Sequence, residues 1–330
     1  MKRAISIACV GLIILVLISN MNDVFVDKSL NRYYILSREI ETIKEIDVQV
    51  YGSCHAYTSF DSAYFSEKYG MSSYNMSNPG EIMPSTYLRM VERFKKDKPE
   101  VVLVETWGVN AYETYNPTEK IMDSYFRINI EDIPFSKEKA EVINDFETLD
   151  MIEDNVALIK YRDRLTTFTL NKLDFDYCFE DASEIYNTGE WAKYLYDEMK
   201  NRLSNSGFKS NPSTPILDYQ EQQAQIEENE TLEVEADLMK YVDKIIELCK
   251  EENVPLIFYR APYRSTANEL RKANYLEKYF AGKDVLFFDL EKELEYDYEN
   301  DFFDYEHLST VGATKSTDFL SEKIFGVLDR

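Results

Sequence analysis

Val48-Gln49-Val50-Tyr51-Gly52-Ser53-Cys54-His55-Ala56 is a short apolar run that ends in a glycine and then in three small polar or reactive side chains. Such a run reads as a buried strand entering a tight turn. Gly52 lets the backbone turn sharply with no Cβ penalty. The turn places Ser53 and Cys54 at the carboxyl end of a strand, where open α/β sheets bind ligands. The chain has two histidines: His55 in this turn, and His307 near the far end in Asp304-Tyr305-Glu306-His307-Leu308-Ser309. We expect these two segments to meet and form the active site.

Working outward, Ser59 to Tyr69 reads as a helix, and Ser73 to Gly80 as a second strand ending in a loop marked by Pro79 and Gly80. Glu81 to Lys96 is an amphipathic helix with Ile82, Leu88, Val91 and Phe94 on one side; Pro84 is tolerable in its first turn. Val101 to Val104 is an apolar run, as in a strand buried on both faces, followed by Glu105-Thr106-Trp107-Gly108-Val109-Asn110. From Ala111 the pattern loosens, with helical stretches over 137–160 and 184–204, and an insertion of about 112–235 is expected to shape the substrate cleft. Gln220 to Glu235 reads as the solvated start of a helix that Ala236 to Glu251 continues. Strands over Val254–Tyr259 and Val285–Asp289, a helix over Ser265–Phe280, a loop over Phe302–Ser309 and a helix over Ala313–Leu328 close the chain. Strand alternating with helix predicts an α/β fold with a mostly parallel sheet covered on both faces, over residues 46–330.

At the other end, Lys2 and Arg3 precede an uncharged stretch from Ala4 to Asn22. A helix of about 19 residues spans roughly 28 Å, near the hydrocarbon thickness of a bilayer. No A-x-A-like cleavage site follows, so an uncleaved N-terminal transmembrane helix over residues 4–22 is expected, rather than a signal peptide. Its positive flank stays cytoplasmic, which puts the main domain outside the cell membrane. Residues 23–45 would be a stalk or first helix.

The bulk numbers set limits. The 330 residues suffice for one large domain with an insertion. The net charge of −24 argues against nucleic acid as a partner, and against attraction to an anionic membrane surface. The four cysteines are Cys9, Cys54, Cys178 and Cys249. Their spacing fits no zinc pattern, and with two histidines far apart in sequence no metal and no cofactor is expected. Helical spacing puts Cys249 in a core; if it pairs with Cys178, Cys54 is the free thiol.

A nucleophile needs a base, and the base needs an orienter. Cys54, His307 and Asp304 make such a set, with Asp304 three residues before the imidazole. An oxyanion needs donors. The Cys54 backbone N–H, Ser77 or Asn78, and Asn110 are the candidates.

These motifs, in this order, resemble the SGNH/GDSL hydrolase superfamily, in its membrane-anchored surface-polysaccharide branch of teichoic-acid D-alanylation and alginate-acetylation-like proteins. The first block, G-D-S or G-S-S-H, appears as Gly52-Ser53-Cys54-His55; the second falls near Ser77. The third, G-x-N-D, appears as Gly108-Val109-Asn110-Ala111, and the fifth, D-x-x-H, as Asp304-Tyr305-Glu306-His307. The resemblance covers roughly 46–111 and 253–328. It implies a flavodoxin-like three-layer fold and acyl-ester chemistry, hydrolysis by an esterase or transfer by an O-acyltransferase, on a cell-surface glycan. Partners would be that glycan or an acyl donor, and a membrane acyltransferase. Cys54 stands where the family has its serine nucleophile, Ala111 where it has its final Asp, and Ser77 lacks a clear glycine. Three readings stay open: Cys54 or Ser53 attacks the ester, Cys54 carries an acyl thioester handed across the membrane, or the chain is an inactive accessory protein that binds glycan.

Overall fold

The apolar runs become five short strands: β1 (Val48–Tyr51), β2 (Ser73–Asn75), β3 (Val101–Glu105), β4 (Leu256–Arg260) and β5 (Leu286–Asp289). The structure, a computed structural model, describes residues 10–11, 32–110, 120–146 and 190–329. All four strand pairings are parallel, in the order β2-β1-β3-β4-β5. The chain winds outward from β1 to β2, returns across β1 to β3, and then winds the other way. The carboxyl ends of β1 and β3 therefore flank a topological switch point, where open sheets of this flavodoxin-like order bind ligands.

The described helices are α1 (Arg32–Thr42), α2 (Cys54–Ser59), α3 (Ser62–Tyr69), α4 (Met83–Phe94), α5 (Trp107–Asn110), α6 (Lys120–Glu131), α7 (Lys137–Asp145), α8 (Glu190–Ser204), α9 (Tyr219–Gln222), α10 (Ala236–Glu251), α11 (Ala267–Gly282), α12 (Leu290–Glu293) and α13 (Thr310–Val327). The residues group into two units, Met1–Ile35 with Pro134–Tyr196, and Leu36–Ile133 with Asp197–Arg330. The sheet belongs wholly to the second.

Strand alternation makes that unit three-layered. Val48, Val50, Val101, Leu103, Ile257 and Tyr259 share one core with Phe60, Phe65, Leu320 and Ile324, from α2, α3 and α13. Phe258 and Phe287 face the other way, against Phe280 of α11, with ring centroids 4.4 and 5.4 Å away. Gln49 points to that side too and reaches Asp97 beyond the end of α4, while Tyr87 of α4 meets Tyr241 of α10.

Two expectations are corrected. The helix expected over Ser59–Tyr69 starts only at Ser62: Ser59 is the last residue of the separate helix α2, Phe60 caps it, and Asp61 opens α3 by accepting the Tyr64 N–H at 2.9 Å. Gln220–Glu235 is not the start of α10. After α9 it runs along α11, donating from Leu232 N–H to the Arg271 carbonyl and pairing Glu230 with Arg271 and Glu235 with Lys272. Glu230 and Glu235 meet basic side chains of that helix, while Glu221, Glu227, Glu228 and Glu233 stay exposed to solvent, as expected. Cys249 is a free thiol buried in α10, in the core where its helical spacing puts it.

The helix expected over 137–160 ends at Asp145, and residues 147–160 lie outside the described residues. So do Cys9, Cys178, most of the expected transmembrane segment, and residues 111–119 and 147–189 of the expected insertion. Among the described residues, no helix is long and apolar enough to cross a membrane.

Candidate active site

The turn after β1 is fixed by Gly52 and Ser53. Gly52 has φ +135°, and a Cβ there would lie 2.9 Å from Glu105 Cβ on the neighbouring strand. Only glycine brings the two strand ends this close. Ser53 caps α2: its Oγ accepts the His55 N–H at 3.2 Å and donates to Glu105 Oε2 at 3.0 Å. The Ser53 hydroxyl is fully buried and committed to these partners. Cys54, the first residue of α2, is partly open.

His307 arrives from the loop before α13. Phe302 and Leu308 bridge the base of that loop, and Phe302 packs with Tyr219, Tyr298 and Ile216. Gly312 lies against Asp301, where a Cβ would be 2.2 Å from the Asp301 carbonyl oxygen. Within the loop, Asp304 accepts the backbone N–H groups of Glu306 and His307 at 2.8 Å each. Its carboxylate oxygens lie 3.0 and 3.1 Å from His307 Nδ1. That fixes the ring and leaves its other nitrogen for Cys54.

The second histidine joins the same cluster. His55 Nδ1 lies 3.7 Å from Cys54 Sγ and 3.2 Å from Ser53 Oγ, and its Nε2 is 3.8 Å from Glu306 Oε2. Its ring, 2% exposed, is held between Trp107 (centroids 5.1 Å), Tyr263 (4.8 Å) and His307 (5.1 Å). The Tyr263 turn is anchored by buried Arg260, which pairs with Asp289 at 2.8 Å and Glu291 at 3.0 Å.

These contacts set the charges. Burial pushes the Cys54 thiol up, but the charges and hydrogen bonds of His55 and His307 outweigh it and hold the thiol well below its ordinary value. Burial pulls both imidazoles down; the Cys54 thiolate reverses this, with help from Glu306 at His55 and Asp304 at His307. His55 is raised to about 9 and His307 to about 10. Burial raises Glu105 despite His55, the Trp107 N–H and Ser53. The arrangement favours a thiolate between two protonated imidazoles, with Glu306 behind His55 and Asp304 behind His307.

The cluster lines a cavity of about 570 Å³, which Cys54, His55 and His307 all border. Its lining also includes Pro79, Trp107, Tyr125, Gln222, Arg264 and Glu306. The structure thus brings Cys54, His307 and Asp304 together. Ser77 sits elsewhere: its N–H and Oγ both turn to Asn75 Oδ1, its carbonyl accepts from Arg202, and it does not line the cavity. Asn110 ends α5, the short helix that follows β3 at the same end of the sheet. Sequence reasoning missed Glu105, Glu306 and Tyr263 as parts of the site, and gave His55 no role. Glu105 could have been found, because it is a carboxylate ending an apolar strand run.

A family of unknown function matches residues 185–329, less than half of the chain. The match takes in β4, β5 and the Asp304–His307 loop and stops short of Cys54. No curated protein matches the chain.

Proposed function

We propose that this chain is an acyl-ester enzyme with Cys54 as nucleophile, His307 as acid and base, and Asp304 as orienter. The observation that carries this reading is the convergence of Cys54 and an Asp304-bound His307 at the switch point of a parallel sheet. The thiolate attacks the ester carbonyl carbon, and the resulting oxyanion lies beside the Cys54 N–H, which as a first-turn amide has no partner within its helix. His307 gives its proton to the departing alkoxide as the C–O bond breaks, leaving an acyl thioester on Sγ. Water, or a hydroxyl of an acceptor, then attacks the thioester while His307 takes its proton, and the thiolate leaves. Ser53 is the weaker candidate nucleophile, because its hydroxyl is bound to Glu105.

The motif order supports placing this chemistry in the SGNH/GDSL-like superfamily, and the apolar run over 4–22 supports an exported, membrane-anchored enzyme acting on a surface glycan. A cavity with Trp107, Tyr125, Arg264 and Gln222 on its walls suits an acylated sugar, with rings for its apolar faces and polar groups for its hydroxyls. The test is release of a chromogenic alcohol from its acetyl ester by the full-length chain. Cys54→Ala and His307→Ala should each lower turnover by roughly 100-fold or more, and Asp304→Asn by less. Turnover that survives Cys54→Ala would end the reading. No turnover at all would move it to an accessory protein that binds glycan.

A further inference from the structure

The two imidazoles reach one sulfur from different elements, and their spacing is that of ligands to a shared ion. Cys54 Sγ and one ring nitrogen from each of His55 and His307 lie within 4.8 Å of one another. Zinc holds thiolate sulfur at about 2.3 Å and imidazole nitrogen at about 2.0–2.1 Å in a tetrahedron, which puts S and N ~3.6 Å apart. Cys54 Sγ and His55 Nδ1 are 3.7 Å apart. Two imidazole rings on such an ion have centroids ~5 Å apart. Those of His55 and His307 are 5.1 Å apart, with 28° between their planes.

The groups behind the rings fit as well. Metal-bound histidines commonly present their far nitrogen to a carboxylate, which fixes the ring. His307 Nδ1 faces Asp304, and His55 Nε2 faces Glu306. His55 Nε2 is buried and has no hydrogen-bond partner closer than that carboxylate. Sequence spacing hides the set because only the fold brings His307 to the adjacent Cys54 and His55.

We propose that Cys54, His55 and His307 form a three-ligand site for a zinc-class divalent cation, with the fourth position open to the cavity. The ion takes a lone pair from the thiolate and one from each neutral imidazole. Protons held by the rings leave to solvent, and no oxidation state changes. The ion and an acyl group compete for the same sulfur, so the loaded chain has no nucleophile. The inference does not rest on the ester reading, and its test contains no ester.

The full-length chain is stripped with EDTA, exchanged into metal-free buffer at pH 7.5 and titrated with Co²⁺, with Zn²⁺ as competitor. We expect one Co²⁺ per chain, a sulfur-to-cobalt charge-transfer band in the near ultraviolet and the visible bands of a tetrahedral centre, all displaced by Zn²⁺. Cys54→Ser should remove the charge-transfer band, and His55→Ala should weaken Co²⁺ binding at least about tenfold. Zn²⁺ should protect Cys54 from iodoacetamide, and EDTA should restore its labelling. Only a weak octahedral spectrum in the wild-type chain would overturn the proposal, since it would place the ion on surface carboxylates. So would a charge-transfer band that persists in Cys54→Ser. Should His55→Ala fail to fold, the wild-type spectrum and the near-isosteric Cys54→Ser decide alone.

Discussion

Cys54 and Cys249 show how surroundings, rather than residue type, decide reactivity. Burial with no compensating charge pushes the Cys249 thiol up to about 12, so it behaves as a small core hydrophobe. Burial acts on Cys54 in the same direction, but His55 and His307 overcome it. A thiol held below its ordinary value keeps its thiolate as pH falls. An unperturbed thiol loses about tenfold in thiolate per pH unit below roughly 8.5. We therefore expect iodoacetamide to label Cys54 in the EDTA-treated folded chain at nearly constant rate from pH 8 to pH 6, with Cys249 unlabelled. His307→Ala should restore a fall with decreasing pH. A wild-type labelling rate that drops tenfold per unit over that range would rule out the resting thiolate.

Among elements, the β1–α2 turn carries the site, and Gly52 carries the turn. Alanine there must hold a φ of +135° and push against Glu105. The backbone strain alone costs about 1–3 kcal/mol, and the contact adds to it. Urea unfolding of Gly52→Ala should show a loss of at least that size, and labelling of Cys54 should lose its flat pH profile as the turn shifts. An unchanged midpoint would mean that the turn relaxes freely. This turn was legible in the sequence because an apolar run, a glycine and a polar cluster are all local signals. The five strands and the closing helix were legible for the same reason, and so was the Asp304–His307 spacing. The break at Phe60–Asp61 was missed because both flanking segments favour helix, and only the Asp61 cap separates them. The path of Gln223–Glu235 was missed because its partners, Arg271, Lys272 and Asn274, lie some 40 residues further along the chain. The pairing of His55 with Glu306, and of Ser53 with Glu105, depends on strand order, which no local pattern encodes.

At the scale of the whole molecule, an acidic chain must choose which carboxylates to bury. Glu81 is fully buried beneath α5, where its own carbonyl oxygen would lie 2.5 Å from a Cβ on Gly108. Burial raises it to about 7, because Arg89, 3.5 Å away, is already committed to Asp132 at 2.9 Å and to the Asn129 carbonyl. The sign follows from linkage. Below pH about 4.5, Glu81 is protonated in both folded and unfolded chains and costs nothing extra. Between there and about 7 the unfolded chain releases the proton while the folded chain keeps it, so stability falls as pH rises. Above about 7 the penalty is complete, on the order of 3 kcal/mol. Other groups titrate over the same range, so the informative quantity is the difference between Glu81→Gln and the wild type. A neutral amide keeps the shape and the Thr86 contact without the titration. Urea unfolding at pH 5, 6, 7 and 8 should show the variant gaining on the wild type at each step up to about 7 and holding steady beyond it. A difference that stays constant across the series would mean that Glu81 is ionised in the folded chain throughout, with Arg89 serving both carboxylates.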